Sequence, residues 1–211
     1  MAEPKRRPGG RSERVRVAVY DATLHGLHED GYAGLTIESI AARASVHKTT
    51  IYRRWQSKDA VVAAAVADLV SQQFPVQASG SLVNDLRYFA RTLVRLLNSR
   101  SPRVRGVLHA FFSEASTLPE IATLKRDFFA GRYAQAEAIV SAAGERHDIA
   151  IDIDAGELIG LVVAPIYYRL LVSGEPITNA VADRAVDNAL AALRGGGCQS
   201  NTPNSGAAQR N

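Results

Sequence analysis

The side chains best suited to chemistry lie in one stretch, Gly34 to Lys58, GLTIESIAARASVHKTTIYRRWQSK. Its apolar residues Leu35, Ile37, Ile40, Ala41, Ala44, Val46, Ile51 and Trp55 are spaced so that two short helices joined by a tight turn would share one small core. Ala41 is small where helices that cross so closely leave little room. What this core leaves outside on the second helix is His47, Lys48, Thr49, Thr50, Tyr52, Arg53 and Arg54. That set offers donors, hydroxyl acceptors and methyl groups, and no carboxylate. Phosphate oxygens and the base edges of a major groove accept such groups. Thr36, ahead of the first short helix, has two compatible uses: capping that helix, and donating its hydroxyl to a phosphate.

Elsewhere the residues are poor in chemistry. His25 and His28 stand one helical turn apart, but no carboxylate or cysteine completes a metal site around them. Glu145-Arg146-His147-Asp148 reads as a polar loop without a nucleophile–base arrangement. The single cysteine, Cys198, excludes an internal disulfide and a structural zinc site, and predicts a reducing, cytoplasmic compartment. No cofactor, metal ion or catalytic residue is expected.

Charge distribution points the same way as the exposed helix. The chain has 211 residues and a net charge of +4. Residues 1–58 hold eleven Lys and Arg against six Asp and Glu, a net +5, so the remainder carries −1. A basic excess confined to one end suits contact with a polyanion. The 46% apolar content is that of a soluble globular protein long enough to bury a core. The chain lacks an unbroken run of about eighteen apolar residues, and its basic start is followed by no apolar segment; neither a transmembrane helix nor a secretory signal is expected.

The elements that must position these side chains read as helical nearly throughout. A disordered basic arm is expected over 1–11, carrying Lys5, Arg6, Arg7 and Arg11, and a disordered Gly-rich tail over 195–211. The arm has two readings, minor-groove contact and simple solubilisation. The spacing predicts a first helix from Ser12, its N-cap, to Asp30, with Gly31 as a left-handed C-cap. Short helices follow from Thr36 to about Ala44 and from Val46 to Trp55, with the turn at Ser45. Ser57 caps a fourth, from Lys58 to about Phe74, and Pro75–Gly80 connects. Further helices are predicted over 81–99, 104–115, 119–143, 155–173 and 178–193, with Asp154 and Thr178 as caps. Pro165 should kink its helix or force a local adjustment. Ile149–Ile153 is the one short strand candidate.

The segment TIESIAARA, a turn, and TTIYRRWQSKDAV resembles the DNA-binding domain of the tetracycline-repressor (TetR) family of regulators. Thr36, Ile40, Ala41, Thr50, Ile51, Tyr52, Trp55, Lys58 and Asp59 fill the family's characteristic positions. Ser45 replaces the glycine often found in the turn, a mild departure because serine also suits turns. The resemblance covers about residues 15–65. More loosely, APIYYRLLVSGEP (164–176) is similar to the C-terminal dimer region of one subgroup. The resemblance implies an all-α fold of about nine helices, the last two pairing in a four-helix dimer interface. It implies a helix-turn-helix domain over 12–58, a connecting helix 58–74, and an effector-binding and dimerisation domain over 75–194.

Carried over residue by residue, the resemblance makes Thr50 and Tyr52 contacts to DNA backbone or bases and Lys58 a phosphate contact. The implied function is a homodimeric regulator, most commonly a repressor, bound to double-stranded DNA at a pseudo-palindromic operator and released by a small-molecule effector. Dimerisation is expected through about 155–173 and 178–194. Phe89, His109, Phe112, Phe128, Tyr133, Tyr167 and Arg169 are the expected pocket residues, aromatic faces with a few polar groups. The same aromatics also read as ordinary core. Two alternatives stand: a helical DNA-binding regulator without an effector, and an enzyme with a helical pocket.

Overall fold

A computed structural model of the chain describes residues 10–73, 79–145 and 154–194. Among them are nine α-helices and no strand: α1 Arg11–Gly34, α2 Ile37–Arg43, α3 Lys48–Trp55, α4 Lys58–Gln73, α5 Leu82–Leu97, α6 Pro102–His109, α7 Pro119–Glu145, α8 Ala155–Tyr168 and α9 Asn179–Arg194. Two wide π turns extend α6 and α8, over Ala110–Glu114 and Arg169–Ser173. The all-α class expected from the sequence is what forms.

Several boundaries differ from the sequence reading. Ser12 does not cap α1, which begins at Arg11 without a side-chain cap. Gly31 has the expected positive φ of 68°, but its ψ of 177° is extended, and a last helical stretch follows it to Gly34. The third helix starts at Lys48 rather than Val46. The helix expected over 104–115 opens at Pro102, where a proline's missing N–H costs nothing, and finishes in a π turn. The strand candidate 149–153, most of the 75–80 connection, residues 146–148, Cys198 and nearly all of the basic arm lie outside the described residues.

The chain divides into two compact units, and they do not follow the boundary implied by the family resemblance. The first joins residues 1–75 to 95–131, and the second joins 76–94 to 132–211. In the first unit α1 packs against α2, α4 and α6 around Val19, Leu27, Leu35, Ile40, Ile51, Val61, Val62, Val66 and Ile121, all at most 1% exposed. Gly106 lets α6 lie on the backbone of α1, since a Cβ there would meet His28 N at 2.8 Å and Leu24 O at 2.9 Å. This close crossing is why 95–131 travels with the N-terminal elements.

The second unit is built on α8 and α9, with most of α5 and the end of α7. Leu158, Val162, Ile166, Ala182 and Val186 are wholly buried. Arg91 holds both carboxylate oxygens of Asp183 at 2.8 Å, and Arg87 reaches Asp187 at 2.8 Å, so two successive turns of α5 are clipped to two of α9. Asp154 caps α8 as expected, accepting Glu157 N–H at 2.8 Å. The helix runs through Pro165, and the local adjustment is a π turn after Tyr168, closed by Gly174 N–H to Arg169 O at 3.0 Å. Gly174, at φ 66° and ψ 7°, ends it in the left-handed region.

No unbroken apolar run of about eighteen residues is present, yet Ala155–Ser173 is long and apolar enough to cross a membrane, and little of it is buried. Glu157 and Arg169 interrupt the run without lowering its mean hydropathy enough to exclude it. Its exposed large apolar side chains are Leu161, Tyr168, Leu171 and Val172.

Candidate nucleic-acid interface

Helix α2 starts with a reciprocal cap. Thr36 Oγ1 accepts Ser39 N–H at 3.0 Å, and Ser39 Oγ accepts Thr36 N–H at 3.1 Å. Glu38 in the first turn faces the positive end of the helix dipole. The helix closes in the pattern usually built on glycine: Val46 N–H bonds Ala41 O at 3.0 Å and Ser45 N–H bonds Ala42 O at 3.2 Å. Ser45 occupies the residue of that turn with positive φ, 53°. Serine thus takes a conformation that glycine takes without strain.

The turn sets α3 across α2. Ile51 and Trp55 go into the core, and the Trp55 ring lies against Tyr20 with centroids 5.7 Å apart. Ile37, Ile40 and Ala41 are buried opposite them. With two of its eight residues committed inward, α3 presents Lys48, Thr49, Tyr52, Arg53 and Arg54 to solvent, with His47 at its N-cap and Thr50 half-buried. Tyr52 is 45% exposed.

The cations of this face are held to different degrees. Arg53 makes no hydrogen bond or ion pair among the described residues. Lys48 Nζ lies 3.4 Å from Glu38 Oε1, both well exposed, so water competes for the pair. Arg54 donates to Ser12 O at 3.2 Å and packs its guanidinium 5.0 Å from the Trp55 ring centre, which joins α3 to the start of α1. Arg11 and Arg14 on the first turns of α1 are exposed too. Lys58 is the most restrained: Nζ donates to Tyr32 O at 3.0 Å and sits 3.9 Å from the Tyr32 ring centre. An ammonium has three donors, so the bond to Tyr32 leaves others available.

The residues named from sequence as one surface, Thr36, His47, Lys48, Thr49, Thr50, Tyr52, Arg53, Arg54 and Lys58, therefore all belong to α2, α3, their caps and the first residue of α4. Sequence reasoning missed the support beneath Lys58. Tyr32 donates its hydroxyl to Asp59 and its N–H to Glu114, and burial with the Asp59 charge raises its hydroxyl above the usual tyrosine range. A partner 82 positions away leaves no local signal.

The expected pocket residues are not gathered in one compact unit. His109, Phe112 and Phe128 belong to the first, and Phe89, Tyr133, Tyr167 and Arg169 to the second. Phe128 packs edge-on against Phe111 and Phe129 at 5.2 Å, in the core. Phe112 lies under Lys125 Nζ at 4.8 Å, and His109 is exposed 3.7 Å from Glu114. Arg169 is tied to its own loop, at 3.2 Å from Pro176 O and 2.6 Å from Glu175. Tyr133 is exposed. Arg132, unnamed from sequence, is half-buried with its guanidinium 5.9 Å from the Phe89 ring centre; burial pushes it down to about 10, and nearby Tyr167 opposes that shift. A cleft of about 510 Å³ opens beside the starts of α4 and α7, lined by Asp59, Ala60, Ala63, Glu120, Thr123 and Leu124 among others, and none of the expected pocket residues lines it. Among the described residues no group of three His, Cys, Asp or Glu side chains is placed to hold a metal ion. His25 instead bonds Asp21 O at 2.9 Å within its own helix.

Comparison with known proteins adds independent support. Residues 19–65 match the family model described as bacterial regulatory proteins, tetR family, and residues 76–189 match the tetracyclin repressor-like C-terminal domain. The chain is 30% identical over 190 residues to an uncharacterized HTH-type transcriptional regulator of Bacillus subtilis, YdeS, covering 90% of this chain and 94% of that one. It is 29% identical to the DNA-binding transcriptional repressor TetR of Mycobacteroides abscessus, over 87% of this chain and 95% of the other. The crystal structure of the TetR family transcription regulator SCO0332 superposes with a TM-score of 0.68 at 30% identity, covering 84% of this chain and 97% of that one. With a capped helix-turn-helix, an acid-free exposed face on its second helix and both family models in order, the chain belongs to the TetR family of DNA-binding transcriptional regulators.

Proposed function

We propose that the chain is a homodimeric repressor that lays α3 of each protomer in successive major grooves of a pseudo-palindromic operator and leaves it when a small molecule binds. The observation that carries the DNA contact is the exposed face of α3, which holds Lys48, Thr49, Tyr52 and Arg53 above a fully packed Ile51 and Trp55. His47 and Lys48 at the helix start reach base edges, Tyr52 and Arg53 reach bases or phosphates, and Thr36, Thr49, Thr50, Arg54 and Lys58 hold the backbone. Two copies read half-sites about 34–36 Å apart. The protein acts where that DNA is, in the cytoplasm.

Dimerisation is supported by α8. Leu161, Ala164, Pro165, Tyr168, Leu171 and Val172 recur at helical spacing and all are exposed, a stripe that a second copy would remove from water. The dimer seam thus accounts for a helix otherwise apolar enough to lie in a membrane. An effector site is supported by the half-buried Arg132, whose guanidinium lies over the Phe89 ring and whose charge is influenced by Tyr167. The effector must bind the DNA-free arrangement more tightly than the DNA-bound one. A regulator without an effector is the second reading, supported by Phe112, Phe128 and Arg169 being engaged by their own neighbours.

The test is binding to the duplex upstream of the protein's own gene, titrated across salt beside an unrelated duplex. Specific binding should be at least about a thousandfold tighter than the control and should fall steeply with salt. Equal, weak binding to both duplexes, with no sequence enriched from genomic fragments, would overturn the reading.

A further inference from the structure

Helix α1 is broken at Gly31, whose φ of 68° and ψ of 177° only glycine adopts readily. The break turns the N–H of Tyr32 away from the helix, where it donates to both carboxylate oxygens of Glu114, at 2.9 and 3.0 Å. The carboxylate lies so close over the break that a Cβ on residue 31 would sit 2.8 Å from Glu114 Oε1. Glu114 is the last residue of the π turn after α6, and its side chain is only 15% exposed. A π turn inserts a residue into the helical register and so changes which side chain faces α1. Two local departures from α-helix, one on each element, thus meet at a single carboxylate.

Tyr32 passes this constraint on. Its carbonyl accepts Lys58 Nζ at 3.0 Å, its ring lies beneath the same ammonium at 3.9 Å, and its hydroxyl donates to Asp59. Lys58 and Asp59 open α4, directly after the exposed helix α3. We infer that Glu114 is a positioning residue for DNA reading: by holding the Tyr32 N–H it fixes the break in α1, and through Tyr32 it fixes where the Lys58 ammonium stands. This rests on the DNA-binding reading above. Glu114 touches no DNA itself, and it acts through Tyr32 on Lys58, a half-buried cation of the surface.

The experiment uses full-length protein and the duplex that the wild type enriches from a random-sequence pool. Affinity is measured across salt for wild type, Glu114→Ala, Glu114→Gln, Lys58→Ala and Glu114→Ala with Lys58→Ala. Glu114→Ala should weaken specific binding roughly tenfold and reduce the slope of log affinity against log salt by about one, the signature of one lost phosphate contact. Glu114→Gln keeps one acceptor oxygen and should retain most of both. In the Lys58→Ala background, Glu114→Ala should add little, because its effect runs through Lys58. Loss of stability alone lowers the melting temperature but leaves the affinity and salt slope of the folded dimer where they were. Wild-type affinity and slope in Glu114→Ala, or full additivity with Lys58→Ala, would overturn the inference and leave the DNA-binding reading intact. A wild type that enriches no sequence overturns both. Should Glu114→Ala not fold, Glu114→Leu, which fills much the same space without an acceptor for Tyr32 N–H, takes its place: a slope lower than wild type supports the inference and an unchanged slope rejects it.

Discussion

Helix α3 and helix α8 each leave one face uncovered, and the two faces are chemically opposite. On α3 the exposed residues are Lys48, Thr49, Tyr52, Arg53 and Arg54, and on α8 with its π turn they are Leu161, Ala164, Pro165, Tyr168, Leu171 and Val172. Polar groups left in water cost nothing, so the α3 face asks for no partner and selects one only by hydrogen-bond pattern and charge. Apolar groups left in water each forfeit about 25 cal/mol per Å² of burial, so the α8 face gains from any complementary apolar surface. A face of the first kind specifies what it meets. A face of the second kind specifies only that something covers it, and self-complementarity supplies the commonest answer, a second copy.

The largest effect that would sharpen this contrast comes from α3. Changing Tyr52 and Arg53 together to Ala should weaken operator binding by about thirtyfold to ten-thousandfold, at roughly 1–3 kcal/mol for each contact. Both side chains are exposed, so thermal stability and sedimentation of the dimer should not change. Retained affinity in a gel-shift titration would mean that this face is only solvated. On α8, Leu171→Asp with Val172→Asp should weaken dimerisation by at least about thirtyfold, the loss of roughly 2 kcal/mol expected where a central interface contact is replaced by a charge. Those side chains are 54% and 68% exposed, so the isolated protomer should stay folded. An unchanged mass by sedimentation across dilution would place the dimer seam elsewhere and remove one side of the contrast.

The two faces were also unequally legible. The α3 face could be read from the sequence because every constraint is local: Thr36 caps, Ile40 and Ala41 turn inward, Ser45 ends the helix, and Ile51 and Trp55 point back, all within twenty residues of one another. Asp154, Ser57 and Pro119 were legible for the same reason, as each acts on its own helix start. What sequence could not give depends on distance along the chain. The tie from Glu114 to Tyr32 spans 82 positions, and the crossing that carries 95–131 into the first compact unit depends on Gly106 meeting α1. For the same reason an aromatic residue announces burial but not which neighbours bury it: Phe128 faces Phe111 and Phe129. The π turns were illegible because the register that favours them is set by packing rather than by the residues within them.

Smaller effects separate the two roles of Thr36. Thr36→Ala removes the capping hydroxyl and should cost about 1 kcal/mol of stability, read as a fall of roughly 2–4 °C in melting temperature for a domain this size. Thr36→Ser keeps the cap, because its hydroxyl can still accept Ser39 N–H. If threonine also holds a phosphate through its hydroxyl, Ser should bind the operator like the wild type while Ala loses affinity beyond what its stability explains. Equal affinity in all three, measured well below the melting temperature, would assign Thr36 to capping alone.

The smallest effect lies in the turn itself. Ser45 sits at φ 53°, where an L side chain is strained and glycine is not. Glycine loses more backbone entropy on folding, which offsets part of the relief. Ser45→Gly should therefore stabilise the protein by a net of about 0.5 kcal/mol. The crossing of α2 and α3 depends on Val46 N–H reaching Ala41 O, a backbone bond that glycine preserves, so operator affinity should be unchanged. Destabilisation in a thermal melt would mean that the serine hydroxyl contributes more to the turn than its backbone costs, and that this departure from the family's usual glycine is compensated locally.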